Sequence, residues 1–215
     1  MGEPNIPKAV IARLPRYYRY LEELMSEGVE RISSGELSER MHVTASQIRQ
    51  DLNHFGGFGQ QGYGYRVESL HDEIRAILGL DEIKHIILVG AGHLGTALAN
   101  YTNYRRRGFC IEAVFDQDPE KIGKEIYGIK IRPMEELVPY VRENRVDIAT
   151  IAIPKESAKV VAVELANAGI RAIWNFAHTE LPVPESVAVE NVHLSESLMH
   201  LSYKVKSMSE QKDRG

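Results

Sequence analysis

Gly90, Gly92 and Gly95, in the stretch KHIILVGAGHLG at residues 84–95, have the G-x-G-x-x-G spacing of a dinucleotide-binding turn. Gly90 permits a sharp turn, Gly92 lets the backbone approach a pyrophosphate, and Gly95 lets the following helix pack on the preceding strand. The loop Gly90, Ala91, Gly92, His93, Leu94, Gly95 and Thr96 then presents backbone N–H groups to phosphate at a helix N-terminus. Asp116 follows Gly90 by 26 residues, at the end of a second apolar run. An acid there accepts hydrogen bonds from adenosine ribose hydroxyls and repels a 2′-phosphate, so the pattern favours NADH/NAD+ over NADP.

A second group of residues suits nucleic acid. In TASQIRQDLNHFG, residues 44–56, Ile48, Leu52 and Phe55 share one helical face. Ser46, Gln47, Arg49, Gln50 and Asn53 share the other, with side chains that can donate or accept at base edges. Thr44 with Gln47 three residues on predicts a capping box. Lys8, Arg13, Arg16 and Arg19 form a basic cluster, followed by the acids Glu22, Glu23, Glu27 and Glu30. For any such charge run a solvated helix face competes with a partner surface.

Residues for catalysis are sparse. His93 falls inside the glycine loop, and His178 and His193 follow strands on the ligand side as the best acid–base candidates. His42, His54, His71, His85 and His200 show no metal-ligand spacing with Cys or Asp/Glu, so no metal is expected. The single Cys110 reads as packing, excludes an internal disulfide and fits a reducing, cytoplasmic compartment. No membrane-spanning run or signal peptide is recognisable, and no catalytic constellation is expected.

The elements that position these groups divide the 215 residues in two. Residues 1–79 predict a short helix at 7–14, a second from Pro15 to about Glu27 with Tyr17, Leu21 and Leu24 inward, and a third over 36–41 capped by Ser33 or Ser34. The helix over 45–53 comes next, and two short helices joined by a tight turn are the helix-turn-helix arrangement. FGGFGQQGYGYRV then reads as a β-hairpin with Tyr65 and Val67 inward, and a helix from Ser69 to Leu78 stops at Gly79. Together these predict a winged helix, with Gln61 and Tyr63 near the wing tip facing the DNA backbone or minor groove.

Residues 80–193 alternate strand and helix, predicting an α/β Rossmann domain. Its strands are expected at 86–89, 111–115, 128–131, 147–153, 171–176 and 187–192. Helices are expected from Leu94 through Tyr101, from Pro133 to Glu143 with a kink at Pro139, and over 156–168 before Gly169. A last helix within 194–208 carries Leu198, Leu201, Val205 and Met208 on one stripe and has no obvious place on its own domain, so a second subunit is its expected partner, with packing inside its own chain the alternative. Residues 209–215 are expected to be a disordered tail.

The chain resembles the Rex family, bacterial transcriptional repressors responsive to NADH/NAD+. The resemblance rests on RLPRYYRYLEEL (13–24), ISSGEL (32–37), residues 44–67, VGAGHLGTALANY (89–101), FDQDPEKIG (115–123), NFAH (175–178) and VAVENVHL (187–194). It implies a homodimer, domain-swapped through the C-terminal helix, that binds a pseudo-palindromic operator in double-stranded DNA when NADH is scarce and releases it when NADH binds. It also implies that Gln47, Arg49 and Gln50 face the major groove and that Arg13 and Arg16 lie near phosphate. Tyr101, Pro154 and Asn175 would lie at the nicotinamide end. The chain departs from its relatives at Gln50 and at Gln60 and Gln61, where relatives are often basic. At His193 some members carry an acid that pairs with the residues matching Arg19 and Tyr101. Outside this family, a small NAD-dependent oxidoreductase with an accessory domain, or a Rossmann domain binding coenzyme A, would share parts of the pattern.

Overall fold

Helix punctuation in the first eighty residues is local. The computed structural model describes residues 6–54, 59–60, 64–101 and 103–212, excluding the side chains of 59, 60, 103, 211 and 212. It divides into two units, residues 1–82 and 83–215, three residues beyond the expected boundary.

In the first unit, α1 (Lys8–Ile11) leads into α2 (Leu14–Ser26), where Pro15 occupies the first turn and needs no N–H partner. Tyr17, Leu21 and Leu24 are buried, as their spacing requires. A two-residue strand, β1 (Arg31–Ile32), precedes α3 (Ser34–Met41). A full capping box closes the start of α3: Ser33 Oγ accepts from the Glu36 N–H at 3.1 Å, and Glu36 Oε2 accepts from the Ser33 N–H at 2.8 Å. His42 adopts a left-handed conformation, φ 52°, and turns the chain into α4 (Ala45–Asn53).

The capping box expected at Thr44 is only half made. Thr44 Oγ1 accepts from the Gln47 N–H at 3.1 Å, but the Gln47 amide turns to Asp51 instead of back to Thr44. Strands β2 (Gly59–Gln60) and β3 (Gly64–Arg66) form the hairpin, and β3 also pairs with β1, Ile32 opposite Tyr65. Gly64 is required there: φ is +66°, and a Cβ would come within 2.6 Å of the Ile32 carbonyl oxygen. Helix α5 (Val67–Ile77) starts two residues earlier than expected, so Val67 enters the core from a helix. Helices plus a three-stranded sheet of order β1-β3-β2 make a winged helix. Phe55, Gln61 and Tyr63 lie outside the described residues.

The second unit opens with β4 (Lys84–Val89), α6 (His93–Ala99), α7 (Asn103–Arg106) and β5 (Phe109–Asp116). The hairpin β6 (Glu125–Ile126) and β7 (Ile129–Pro133) follows, then a 3-10 turn at Met134–Glu136 and α8 (Leu137–Glu143). Next come β8 (Ile148–Ile151), α9 (Lys155–Ala168), β9 (Ala172–Asn175), β10 (Ala188–Asn191) and α10 (Leu194–Lys212). The sheet order is β10-β9-β8-β4-β5-β7-β6, parallel except for β6. Its six parallel strands have the doubly wound Rossmann order, with the switch point between β4 and β8. Helices α8 and α9 cover one face over Ile87, Val89, Phe115, Ala149 and Ile151.

Three expectations are corrected. Helix α6 ends at Ala99, so Tyr101 lies beyond it. Pro133 ends a strand, and the expected kink is a 3-10 to α transition, with Pro139 in the first turn of α8 where a missing N–H costs nothing. The strand expected at 128–131 is present as β7, parallel to β5, and it also pairs with β6 in a hairpin. Residues 209–212 are helical, because α10 continues past the expected tail. Among the described residues no helix is long and apolar enough to cross a membrane.

Gly95 carries the tightest packing demand: a Cβ there would collide with the Gly90 carbonyl oxygen. Gly95→Ala is therefore expected to destabilise the second unit by about 2 kcal/mol, read as a lowered midpoint in its thermal unfolding. An unchanged midpoint would mean that α6 is free to move off β4.

Candidate dinucleotide cleft and DNA-reading face

The reading helix α4 is held from behind by a buried carboxylate. Asp51 has no exposed surface. It accepts from Arg13 Nε and Nη2 at 2.7 Å each, from Tyr17 Oη at 2.9 Å and from Gln47 Nε2 at 2.8 Å. Burial pushes its pKa up, but the hydrogen bonds from Arg13, Gln47 and Tyr17, with Arg13's charge, outweigh that and hold it below the ordinary carboxylate range. Burial, with the bond to Asp51, pushes the Tyr17 hydroxyl well above its usual range.

This changes the roles of two expected DNA contacts, Arg13 and Gln47, and leaves Arg16 exposed. Arg13 is a clamp between α2 and α4, with two of its donors on Asp51. Gln47 is half-buried and bonded inward to the same carboxylate. Arg16 donates to the Met41 carbonyl. Exposed toward solvent are Lys8, Thr44, Ser46, Arg49, Gln50 and Asn53, with Arg49 Nη1 donating to Ser34 Oγ at 3.0 Å. No local sequence signal marks Asp51: by type it is one more polar residue of α4, and the donors that bury it come from Arg13 and Tyr17, more than thirty residues away.

At the switch point the Gly90–Thr96 loop leaves β4. Gly90 has φ +105°, and a Cβ would meet the Ala152 carbonyl oxygen at 2.5 Å. Gly92 is the opposite case: a Cβ there would meet nothing within 4 Å, which leaves the backbone open toward a pyrophosphate. Ala91 N–H donates to Asp116 Oδ2 at 2.6 Å, and Asp118 N–H to Asp116 Oδ1 at 2.8 Å. Burial raises the Asp116 pKa, but these two bonds and Lys121 Nζ at 3.5 Å more than reverse it, so the group stays ionised. A cleft of about 200 Å³ is lined by Gly90, Gly92, Asp116, Lys121, Pro154 and Ser157, among others. Lys121 and Ser157 were not anticipated.

Of the expected cofactor residues, Gly90, Gly92, Asp116 and Pro154 line this cleft, and Ala91, His93, Leu94, Gly95, Thr96, Tyr101 and Asn175 do not. Asn175 is fully buried; its Nδ2 donates to the Thr179 carbonyl at 2.9 Å and to Asn191 Oδ1 at 2.8 Å, and its Oδ1 accepts from Ala177 N–H at 3.0 Å. It organises the β9 loop and ties it to β10. Tyr101 is 49% exposed and borders a separate hollow with Tyr104, Arg105 and Tyr127. His93 is exposed at the first position of α6, and Leu94 and Thr96 are partly buried. Among the described residues no group of three or more His, Cys, Asp or Glu could hold a metal ion.

A reading helix braced in a winged helix, with a dinucleotide cleft in the same chain, defines a ligand-responsive DNA-binding protein. Residues 5–53 match the family model "Putative DNA-binding protein N-terminus", and residues 81–179 match "CoA binding domain". A redox-sensing transcriptional repressor Rex from Thermoanaerobacter pseudethanolicus is 52% identical over 94% of this chain and 90% of its own. Its counterpart from Clostridium botulinum is 55% identical over 94% of this chain and 96% of its own. The chain belongs to the Rex family of redox-sensing transcriptional repressors; it is a regulator, not an enzyme. A solved structure of RSP, a Rex-family repressor, is 47% identical with a TM-score of 0.90, covering 99% of this chain and 100% of that one. RSP has also been solved with β-NADH, and with β-NAD+ and operator DNA at 50% identity, TM-score 0.90, covering 98% of this chain and 97% of that one.

Two outcomes follow from this geometry. Asp51→Asn removes the ion pair and is expected to cost about 3 kcal/mol, read by denaturant unfolding. Because Asp51's folded pKa is depressed, its stabilisation is present above the unfolded carboxylate range and is lost as pH falls through the folded value. Acid unfolding of the wild type below about pH 4 should therefore flatten in this variant. Gly92→Ala should leave stability within about 0.5 kcal/mol. The same change should weaken NADH binding at least ~tenfold by filling the approach to the pyrophosphate; unchanged NADH affinity by calorimetry would place the phosphates elsewhere.

Proposed function

We propose that the chain works as a homodimer that reads the NADH/NAD+ ratio, holding a pseudo-palindromic operator while NADH is low and releasing it when NADH enters the cleft at Gly90–Gly95. The observation that carries this is the full-length similarity to RSP, whose solved forms include one with β-NADH and one with β-NAD+ and operator DNA. In this chain the exposed Ser46, Arg49, Gln50 and Asn53 of α4 are the base-reading candidates, and Lys8 and Arg16 lie on the phosphate side. Arg13 and Gln47 act by bracing α4. Gln61 and Tyr63 of the wing would reach the flanking backbone.

The dimer reading rests on α10. Leu194, Leu198, Leu201, Val205 and Met208 follow the alternating four- and three-residue spacing of a helix–helix seam, and all are exposed, Leu198 at 67%. On the same unit an apolar groove of about 360 Å³ is lined by Ile86, Tyr104, Phe109, Trp174 and Val189, among others. A stripe without a cover and a groove without an occupant on one unit suit exchange of α10 between two copies.

The deciding experiment titrates operator binding across NADH/NAD+ ratios. NADH is expected to weaken operator binding roughly 5–150-fold, and operator to weaken NADH binding by the same factor. Coenzyme A should leave operator binding unchanged, which separates the dinucleotide from the other ligand suggested by the second family model. Val205→Asp should give a monomer by sedimentation with much weaker operator binding. Equal operator affinity in saturating NADH and saturating NAD+ would sink the sensor reading.

A further inference from the structure

The cleft beside the glycine turn carries more charge than one ribose-binding acid needs. Lys121 Nζ lies 3.5 Å from Asp116 Oδ2 and 3.4 Å from Asp118 Oδ2, so two carboxylates share one ammonium and leave an excess of one negative charge. Among the described residues that line the cleft, Asp116 and Lys121 alone are charged. Asp118 is not a lining residue, so whatever it does there it does through Lys121.

The two acids are fixed in different ways. Asp116 is buried, and each of its oxygens accepts from a backbone N–H, Ala91 at 2.6 Å and Asp118 at 2.8 Å. Exchanging it would unmake the turn after β4 together with any ribose contact. Asp118 instead opens a tight turn: its Oδ1 accepts from Glu120 N–H at 3.0 Å, and its carbonyl accepts from Lys121 N–H at 3.0 Å. That turn brings residue 121 back toward Asp116. It is pinned to β7, where the Ile131 carbonyl accepts from Gly123 N–H at 2.9 Å and Ile131 N–H donates to the Lys124 carbonyl at 2.8 Å. The Lys121 stem thus starts from a fixed place, while its side chain is 38% exposed. A single ion pair at that exposure holds a lysine weakly; here two acids hold the same ammonium.

We propose that Asp118 withholds Lys121 from a 2′-phosphate, and that this restraint, added to the charge of Asp116, makes the cleft select NADH over NADPH. The inference rests on the cleft proposed above as the dinucleotide site. A ribose 2′-hydroxyl needs only an acceptor, and each Asp116 oxygen keeps a lone pair beyond its backbone bond. A 2′-phosphate brings about two negative charges, as phosphate monoesters do near neutral pH, and needs a cation. The cation that lines the cleft is already shared by two acids. Turning it to the phosphate would leave both carboxylates without their counter-charge, beside a new anion. Asp118 is therefore a positioning residue for specificity, and Lys121 is the group it restrains.

The test uses the full chain and measures the NADH dissociation constant by calorimetry and that of NADPH by its competition with bound NADH. Asp118→Asn keeps the acceptor for Glu120 N–H and removes the charge. NADPH should then bind at least ~tenfold tighter, with NADH changed less than ~threefold. Lys121→Met keeps the apolar stem and removes the ammonium. In that background Asp118→Asn should improve NADPH binding less than ~twofold, because there is no cation left to release. An unchanged NADH/NADPH preference in Asp118→Asn would overturn the inference. So would an equal gain for NADPH in both backgrounds, which would make Asp118 a distant charge, or a parallel loss of both dinucleotides, which would make it a support of the turn alone. Gly92→Ala separates these failures from failure of the cleft. If it weakens NADH while Asp118→Asn leaves the preference unchanged, the cleft stands and the role of Asp118 falls. If it leaves NADH binding untouched, the dinucleotide lies elsewhere and both fall.

Discussion

The hydrogen bond from Ala91 N–H to the buried Asp116 carboxylate is the contact on which the ligand end of the molecule depends. The turn after β4 must reverse direction within two residues while α6 lies against it so closely that Gly95 admits no side chain. Such a turn exposes amide groups with no strand or helix partner, and a buried unpaired amide costs about 1–3 kcal/mol. Asp116, at the end of the neighbouring β5, supplies the acceptor for one of them, and its second oxygen holds the start of the next loop through Asp118. One side chain thereby joins two of the segments beside the cleft, the turn after β4 and the loop after β5. It faces Lys121 at 3.5 Å, so its charge is partly balanced.

The first unit uses the same device at its output. Asp51 lies inside a helix whose outer face is polar, and it is ringed by donors from α2 and from its own preceding turn. Breaking such a buried set by removing one member is far more costly than any single surface contact of the helix is worth. The angle of α4 against α2 is accordingly stiff, so the short side chains on its outer face, proposed above as base-reading candidates, are presented without a large ordering cost.

What could be read in the amino-acid order was the part with local causes. The helices over 14–26 and 155–168 and the glycine turn announce themselves through proline, glycine and apolar spacing, and they are found within one or two residues of where that spacing puts them. β1 is two residues long and exists only because β3 passes beside it, so no periodicity could mark it. Asp51 and Asn175 look like surface residues by type; what buries them is a set of donors and acceptors from segments far away in sequence, Arg13 in one case and Asn191 in the other. Tyr101 fits the apolar stripe of α6, yet the helix stops at Ala99 and leaves its ring half in solvent. The tail of α10 failed for a different reason. Its composition is polar enough for a solvated coil, but a helix already nucleated continues cheaply.

A bound dinucleotide shifts a DNA-binding equilibrium only if it favours one of two states of the whole assembly, by no more than its difference in affinity for them. The loop after β9 is well placed to carry such a difference. Phe176 N–H is bonded to the Ile151 carbonyl, two residues before the Ile153–Pro154 wall of the cleft; Asn175 joins that loop to Asn191; and three residues later the chain enters α10. Each link is a short hydrogen bond between buried or half-buried groups, so a displacement at one end is not absorbed by solvent. Contiguity alone does not make a switch. The second ingredient is the apolar face of α10, which has no cover in its own chain and therefore ties the geometry of the β9 loop to whatever the helix packs against. A ligand that moves this loop changes the angle of a helix whose proposed partner is the other subunit.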